Sequence, residues 1–207
     1  MGYGYLVIYL ASLSPQRVML LRRAGISFTQ VKSRCDEDAI VAPRPDLLAL
    51  ERSRAKARGA VLTPDQIRTS SVALGADTVV ALGNTIVDKP VDRADAVRLL
   101  SLIQGTTHSV FTGHALALFK PDGSVVEAAR IAVAQVTMRP LSLAEIEAYV
   151  ATGESDGRAG AYAIQETGDR FVTDLKGGWD TVVGLNVAMT ARLFRELTEA
   201  WPEGYSP

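Results

Sequence analysis

The 207 residues carry a formal net charge of −1 and are 47% hydrophobic, which excludes a disordered chain and argues against a broad basic nucleic-acid footprint. One cysteine, Cys35, rules out an internal disulfide framework, and two histidines, His108 and His114, are too few for a zinc site of the usual kind. No apolar run approaches the roughly 20 residues of a membrane span and the N-terminus lacks a secretory pattern, so the expectation is a cytoplasmic protein with neither membrane nor nucleic acid as partner.

Short apolar runs alternate with stretches of helical period, the pattern of an α/β chain. A strand is expected near 5–10, breaking into Ser12-Leu13-Ser14-Pro15-Gln16-Arg17. Ser14 suits an N-cap and Pro15 the first helical position, so a helix runs from 15 to about 24 and stops at Gly25. Such a junction aims free backbone N–H groups and a positive dipole end beyond the strand, a place for phosphate, and Arg17 adds forked donors. A second strand reads over Ser27–Ser33, a helix over Asp46–Val61, and a loop around Pro64.

The apolar run Val72–Leu82 contains Gly75-Ala76-Asp77-Thr78. An aspartate there is costly unless it is paired or holds a metal, which marks Asp77 as a candidate general base. Asn84 turns the chain into Ile86-Val87, and Asp88-Lys89-Pro90 breaks it. A helix follows from Asp92 to about Ile103, then a strand over Ser109–Phe119, a turn at Pro121-Asp122-Gly123 and an antiparallel partner over Val125–Met138. Ser142 with Glu145 forms a capping box opening another helix. Ala161–Gln165 and Phe171–Leu175 read as short strands, Val187–Trp201 as the last helix, and Pro202–Pro207 as a frayed tail.

Several other residues have both a plain and a functional reading. The triplet Asp36-Glu37-Asp38 is either a solvated acidic turn or the source of one magnesium-holding carboxylate, Glu37. Glu51–Lys56 is a charged helix face in which Lys56, followed by the small Ala57, leans toward a ligand. Gln165 offers one donor and one acceptor to a base edge, and Arg158 is a further phosphate candidate. His108 and His114 read as structural, and Cys35 as a small apolar filler.

Taken in order, Leu10-Ala11-Ser12-x-Ser14-Pro15-x-Arg17, Asp36-Glu37, Ala55-Lys56-Ala57, Gly75-Ala76-Asp77-Thr78-Val79-Val80, Lys89-Pro90, Gly105-x-x-His108-x-Val110-x-Thr112-Gly113, Ala159-Gly160-Ala161-Tyr162-x-Ile164-Gln165 and Val183-Gly184-Leu185 resemble the Maf family of nucleoside triphosphate pyrophosphatases. The ordered set covers about residues 6–195. The resemblance implies a single domain over 1–207: an α/β fold with a long mixed twisted sheet, flanking helices and two lobes around a central cleft, similar to inosine triphosphate pyrophosphatase. It also implies a homodimer and hydrolysis between the α- and β-phosphates with a divalent cation, Mg²⁺, Mn²⁺ or Co²⁺. By motif, Asp77 resembles the proton acceptor, Glu37 and Asp77 the metal acids, and Ser14, Arg17, Lys56 and Lys89 the polyphosphate grips.

By the same resemblance, Gln16, Thr78 and Gln165 fall at the positions expected to tune base choice. Thr78 and Gln165 look like the dTTP/UTP branch rather than the 7-methyl-GTP branch. Gln16 departs from the arginine of the former and the tryptophan of the latter, Ala163 replaces a usual glycine, and Asn186 a usual proline. Modified pyrimidine triphosphates are also within the expected substrate range. Alternatives to pyrophosphate release are a non-catalytic nucleotide-binding regulator of cell division and a phosphatase freeing orthophosphate.

Overall fold

The structure, a computed structural model, describes residues 7–199 and Gly204. Residues 5–6 of the expected first strand, 200–201 of the expected last helix, and the expected tail apart from Gly204 lie outside the described residues. Strands β1 (Ile8–Leu10), β2 (Phe28–Gln30), β3 (Ser71–Leu82), β4 (Thr85–Ile86), β5 (Thr107–Phe119), β6 (Val125–Met138) and β7 (Val172–Lys176) form a mixed sheet in the order β2-β1-β3-β5-β6-β7, with β4 on β3. Its helices are α1 (Pro15–Arg23), α2 (Pro45–Arg58), α3 (Pro64–Arg68), α4 (Arg93–Ile103), α5 (Leu143–Ala151), α6 (Trp179–Val183) and α7 (Val187–Thr198). No helix among the described residues is long and apolar enough to cross a membrane.

The chain divides into two compact units. The first gathers the described residues within 1–77, 112–132 and 184–207; the second gathers 78–111 and 133–183.

In the first unit β1 pairs parallel to β2 and to β3, with Ile8 opposite both Phe28 and Val72 and Leu10 opposite both Gln30 and Leu74. β1 is buried throughout and β3 is buried from Ser71 to Asp77, as expected of parallel strands covered on both faces. α1 opens where the sequence places it: the Ser14 hydroxyl accepts from the Arg17 amide (3.4 Å), and Pro15 takes the first position without losing a hydrogen bond. It ends before Gly25, whose φ of +71° admits glycine at little cost.

α2 packs on the sheet without a spacer. A Cβ on Gly75 would stand 2.2 Å from the Ser53 carbonyl oxygen and 2.5 Å from the Ala57 nitrogen. One on Gly113 would stand 2.2 Å from the Ala49 carbonyl oxygen. Ala57 is 1% exposed and clusters with Ala115 and Ala117, as its small side chain suggested.

The second unit buries Leu100, Ile103, Val110, Val136, Ile146 and Tyr149 in one core. α4 starts on the Asp92 cap and α5 on the capping box of Ser142 and Glu145. β7 pairs antiparallel to β6, with Gln135 opposite Lys176.

Three expectations are corrected. The segment around Pro64 is the helix α3, because Thr63 and Gln66 form a reciprocal capping box in which Pro64 sits harmlessly at the first position. Ala161–Gln165 is not a strand: Gly160 (φ +77°) and Ala161 (φ +56°) turn the backbone left-handed and stop any extended run. The strand over 27–33 shrinks to Phe28–Gln30, with Ser33 bridging Ala60 instead.

Candidate functional site

Six of the nine residues that the family resemblance marks lie in the first unit: Ser14, Gln16, Arg17, Glu37, Lys56 and Asp77. Asp77 is the seventh residue of β3, not at a strand end. The parallel neighbour β1 stops at Leu10, opposite Leu74, and the Ala11 amide makes the last bond, to the Leu74 carbonyl (2.8 Å). Asp77 therefore lies three residues beyond the point where β1 leaves the sheet to become the approach to α1. The side chain is 5% exposed as a residue, so its charge needs compensation within the protein.

Lys56, near the end of α2, supplies it. Its ammonium bonds Asp77 Oδ1 at 2.6 Å and also pairs with Glu37 Oε2. The helix seat on Gly75 sets this reach, since no side chain intervenes between α2 and β3.

Glu37 is separated from its acidic neighbours by its anchoring. Arg52 Nε donates to the Glu37 carbonyl oxygen (3.1 Å), and the loop is tied down by Arg34 N to Gly59 O (2.8 Å) and Ser33 Oγ to Lys56 O (3.0 Å). Asp36 and Asp38 are exposed while Glu37 is half-buried. Cys35 is half-buried in this loop rather than filling the core, and burial raises its thiol above the ordinary value.

Arg17 is buried. Its Nε donates to the Gly184 carbonyl (2.9 Å) and its Nη1 to Ser12 Oγ (3.0 Å). Burial pulls the guanidinium below its usual value, while the carboxylates of Asp77 and Glu37 act the other way. Arg17, Lys56, Asp77 and Glu37 thus share one electrostatic neighbourhood. Ser14 donates its hydroxyl proton to Gln16 Oε1 (3.0 Å). Ser12, the clamp on Arg17, was not singled out as functional; its serine-rich context was the available signal.

Thr78, Lys89 and Gln165 belong to the second unit. Thr78 is half-buried, directly after Asp77. Lys89 is exposed on the turn after β4, where the Asp88 carboxylate accepts from its amide (2.8 Å). Gln165 is half-buried, yet its Nε2 is buried with no acceptor among the described residues. Arg158 is spent on Glu154 O (3.1 Å) and Glu166 (2.8 Å), which takes it away from the phosphate role considered for it.

The donor set fits a divalent cation. Asp77 Oδ2 is buried with no hydrogen-bond partner among the described residues, and Glu37 and Asp77 already share one cationic neighbour. Mg²⁺ asks for one or two carboxylates, with waters and substrate phosphates completing the shell. No group of three or more metal-ligating side chains occurs among the described residues, so a cage built of protein alone is not what this site offers.

Both histidines are buried, as their structural reading requires. The Asn186 amide donates to His114 Nε2 (2.7 Å), which leaves that nitrogen unprotonated. Asn186 in turn caps α7 through Met189 N (2.9 Å), so this pair braces the turn that receives Arg17. Burial pushes His114 and His108 down to about 4 from 6.5, with Arg17 adding to the effect at His114. The unfolded chain therefore binds more protons than the folded one between these values, and stability falls as pH drops from 6.5 toward 4. The expected loss between pH 7 and 5 is about 1–2 kcal/mol per histidine. Urea unfolding midpoints at the two pH values check this; equal midpoints would refute it.

Residues 7–197 match the family model described as Maf-like protein. A protein of Alkalilimnicola ehrlichii named dTTP/UTP pyrophosphatase is 40% identical over 193 residues, covering 91% of this chain and 92% of that protein. One of the same name from Agrobacterium fabrum is 37% identical over 204 residues, 95% of this chain and 97% of its own length. A match to a solved HAM1 protein of Coxiella burnetii covers 94% of this chain and 100% of that one at 16% identity, with a TM-score of 0.39.

Proposed function

This chain belongs to the Maf-like protein family, and from that premise we propose that it hydrolyses a nucleoside triphosphate to the monophosphate and pyrophosphate, with dTTP and UTP as preferred substrates. The observation that carries the reading is Lys56 bracketed by the carboxylates of Glu37 and Asp77 beside the buried Arg17. A buried acid, a cation able to grip phosphate and a second acid are the parts that phosphoanhydride hydrolysis needs. The 7-methyl-GTP and regulator readings are not favoured: the relatives named above are pyrimidine nucleotide pyrophosphatases, and no acid or lysine of the motif is lost.

In this reading the triphosphate lies with its charge toward Arg17 and Lys56, with Ser14 exchanging its bond to Gln16 for a phosphate oxygen; the phosphate role of Lys89 rests on the family resemblance alone. Asp77 and Glu37 would hold a divalent cation, and the chemistry it would supply there is charge neutralisation and acidification of a water. Asp77 receives the proton of the attacking water; Lys56 engages its Oδ1, and its Oδ2 has no hydrogen-bond partner among the described residues. Arg17 and Lys56 offset charge growing on the leaving pyrophosphate. By the family resemblance Gln165 reads the base with its amide, and Gln16 and Thr78 are the other positions that tune base choice. The cytoplasmic homodimer is part of the same proposal and rests on the family resemblance.

The test is a panel of UTP, dTTP, CTP, GTP and 7-methyl-GTP with Mg²⁺, Mn²⁺ or Co²⁺, reading pyrophosphate and orthophosphate separately. Pyrophosphate and the monophosphate are expected in equal amounts, with dTTP and UTP at least about tenfold ahead, a margin that one or two well-placed hydrogen bonds supply. Orthophosphate as the first product, 7-methyl-GTP as the best substrate, or full turnover in excess chelator would each overturn a part of this reading.

A further inference from the structure

The amide assigned to the base sits on a segment without regular structure of its own. Gly160 and Ala161 both have positive φ, and Ala161 is fully buried. A non-glycine residue in that conformation costs about 1–2 kcal/mol, so its surroundings must hold it there. Three hydrogen bonds within the second unit do so. The Gly160 amide donates to the Val87 carbonyl (2.9 Å), two residues before Lys89. The Tyr162 hydroxyl meets His108 Nε2 (2.9 Å). The Ala163 amide donates to the Tyr149 hydroxyl (3.0 Å).

The third bond lies nearest to Gln165. Ala163 is 1% exposed and Tyr149 is fully buried, so water does not replace the tyrosine as acceptor. Tyr149 is set on α5, and its ring meets Phe171 edge-on at 5.0 Å and 78°. Its hydroxyl position is thereby fixed by packing before any ligand arrives.

That fixity matters because an amide is ambiguous. In one orientation its NH₂ and carbonyl match the O4 and N3–H of uracil or thymine; rotated by half a turn they match the N3 and N4–H₂ of cytosine. Discrimination between these bases requires the residue to be held in place. We propose that Tyr149 is a positioning residue for base selection: through its bond to the Ala163 amide it fixes the backbone two residues before Gln165, so that the Gln165 amide favours the uracil and thymine edge. This rests on the reading of Gln165 as the base contact.

The experiment compares kcat and KM for UTP and CTP in the wild-type protein, Tyr149→Phe, Gln165→Ala and the double variant. Tyr149→Phe keeps the ring and removes one hydroxyl. It is expected to raise KM for UTP about 3–10-fold with kcat within about twofold, and to lower the UTP-to-CTP ratio of kcat/KM at least about threefold, the scale of one hydrogen bond. Gln165→Ala is expected to lower the same ratio, and the double variant to fall no further. A ratio lost in Gln165→Ala but kept in Tyr149→Phe overturns the proposal while leaving the base reading intact. A ratio kept in Gln165→Ala removes the base reading and this proposal with it. Should Tyr149→Phe melt below the assay temperature, Phe171→Leu serves instead, since it retains the hydroxyl but removes the ring that sets its angle. A smaller fall of the ratio is expected there, and an unchanged ratio overturns the proposal.

Discussion

Replacing Asp77 by asparagine is expected to lower kcat for UTP hydrolysis by about a thousandfold, the scale of losing a positioned general base. The side chain keeps its size and its place among buried residues of β3, so the packing around it is preserved. Lys56 loses one carboxylate but keeps Glu37, so it is not left as a lone buried charge. The melting temperature should therefore move by only a few degrees, the equivalent of about 1 kcal/mol. KM should move less than about tenfold, since Arg17 and Lys56 still meet the phosphates. Mn²⁺ titration separates the two duties given to Asp77. If it serves only as a ligand, saturating Mn²⁺ restores turnover; if it takes the proton, the deficit persists at any metal concentration. Retention of more than a tenth of wild-type turnover at ordinary Mg²⁺ would remove Asp77 from the chemistry.

The second large effect is expected at a residue without a side chain. Gly75→Ala places a methyl group where the Ser53 carbonyl and the Ala57 amide already stand, at 2.2 and 2.5 Å. Both are backbone atoms of α2 and neither can rotate aside, so the helix must lift from β3. Overpacking of this kind costs roughly 1–3 kcal/mol or more. Lys56 travels with the helix, and a displacement of about 1 Å at a catalytic group is worth about 100-fold in rate. The variant should melt several degrees lower and lose about 100-fold in kcat/KM, while circular dichroism still reports an α/β protein. Wild-type stability and wild-type rate together would show that α2 does not depend on this seat.

Much of the frame is legible from local chemistry. Ser14-Pro15 and Gly25 delimit α1, Asp92 opens α4, Ser142 with Glu145 opens α5, and the turn at Pro121–Gly123 joins β5 to β6. The failures have physical causes. Pro64 reads as a breaker, although Thr63 and Gln66 carry the same capping box that was recognised at Ser142. Ala161–Gln165 is apolar enough for a strand, but its backbone is decided by two left-handed residues that composition does not announce. For the site, Asp77 stands out because an acid amid buried apolar residues demands an explanation. Glu37 cannot be told from Asp36 and Asp38 by type alone; a grip on its own carbonyl by Arg52, fifteen residues on, distinguishes it. The brace between His114 and Asn186 spans 72 residues and leaves no local trace.

The glycine seat beneath α2 also bears on how far this protein can be redesigned. Where a helix rests on a sheet through interleaved side chains, exchanging one of them tilts or slides the helix by small steps, and selection can tune a distant group gradually. Here main chain lies against main chain at Gly75 and Gly113, and there is nothing to exchange. Laboratory evolution toward longer or shorter phosphate tails would have to act on the length of side chain 56 itself or on the loop that carries Glu37. Variation should accumulate there while the two glycines stay untouched.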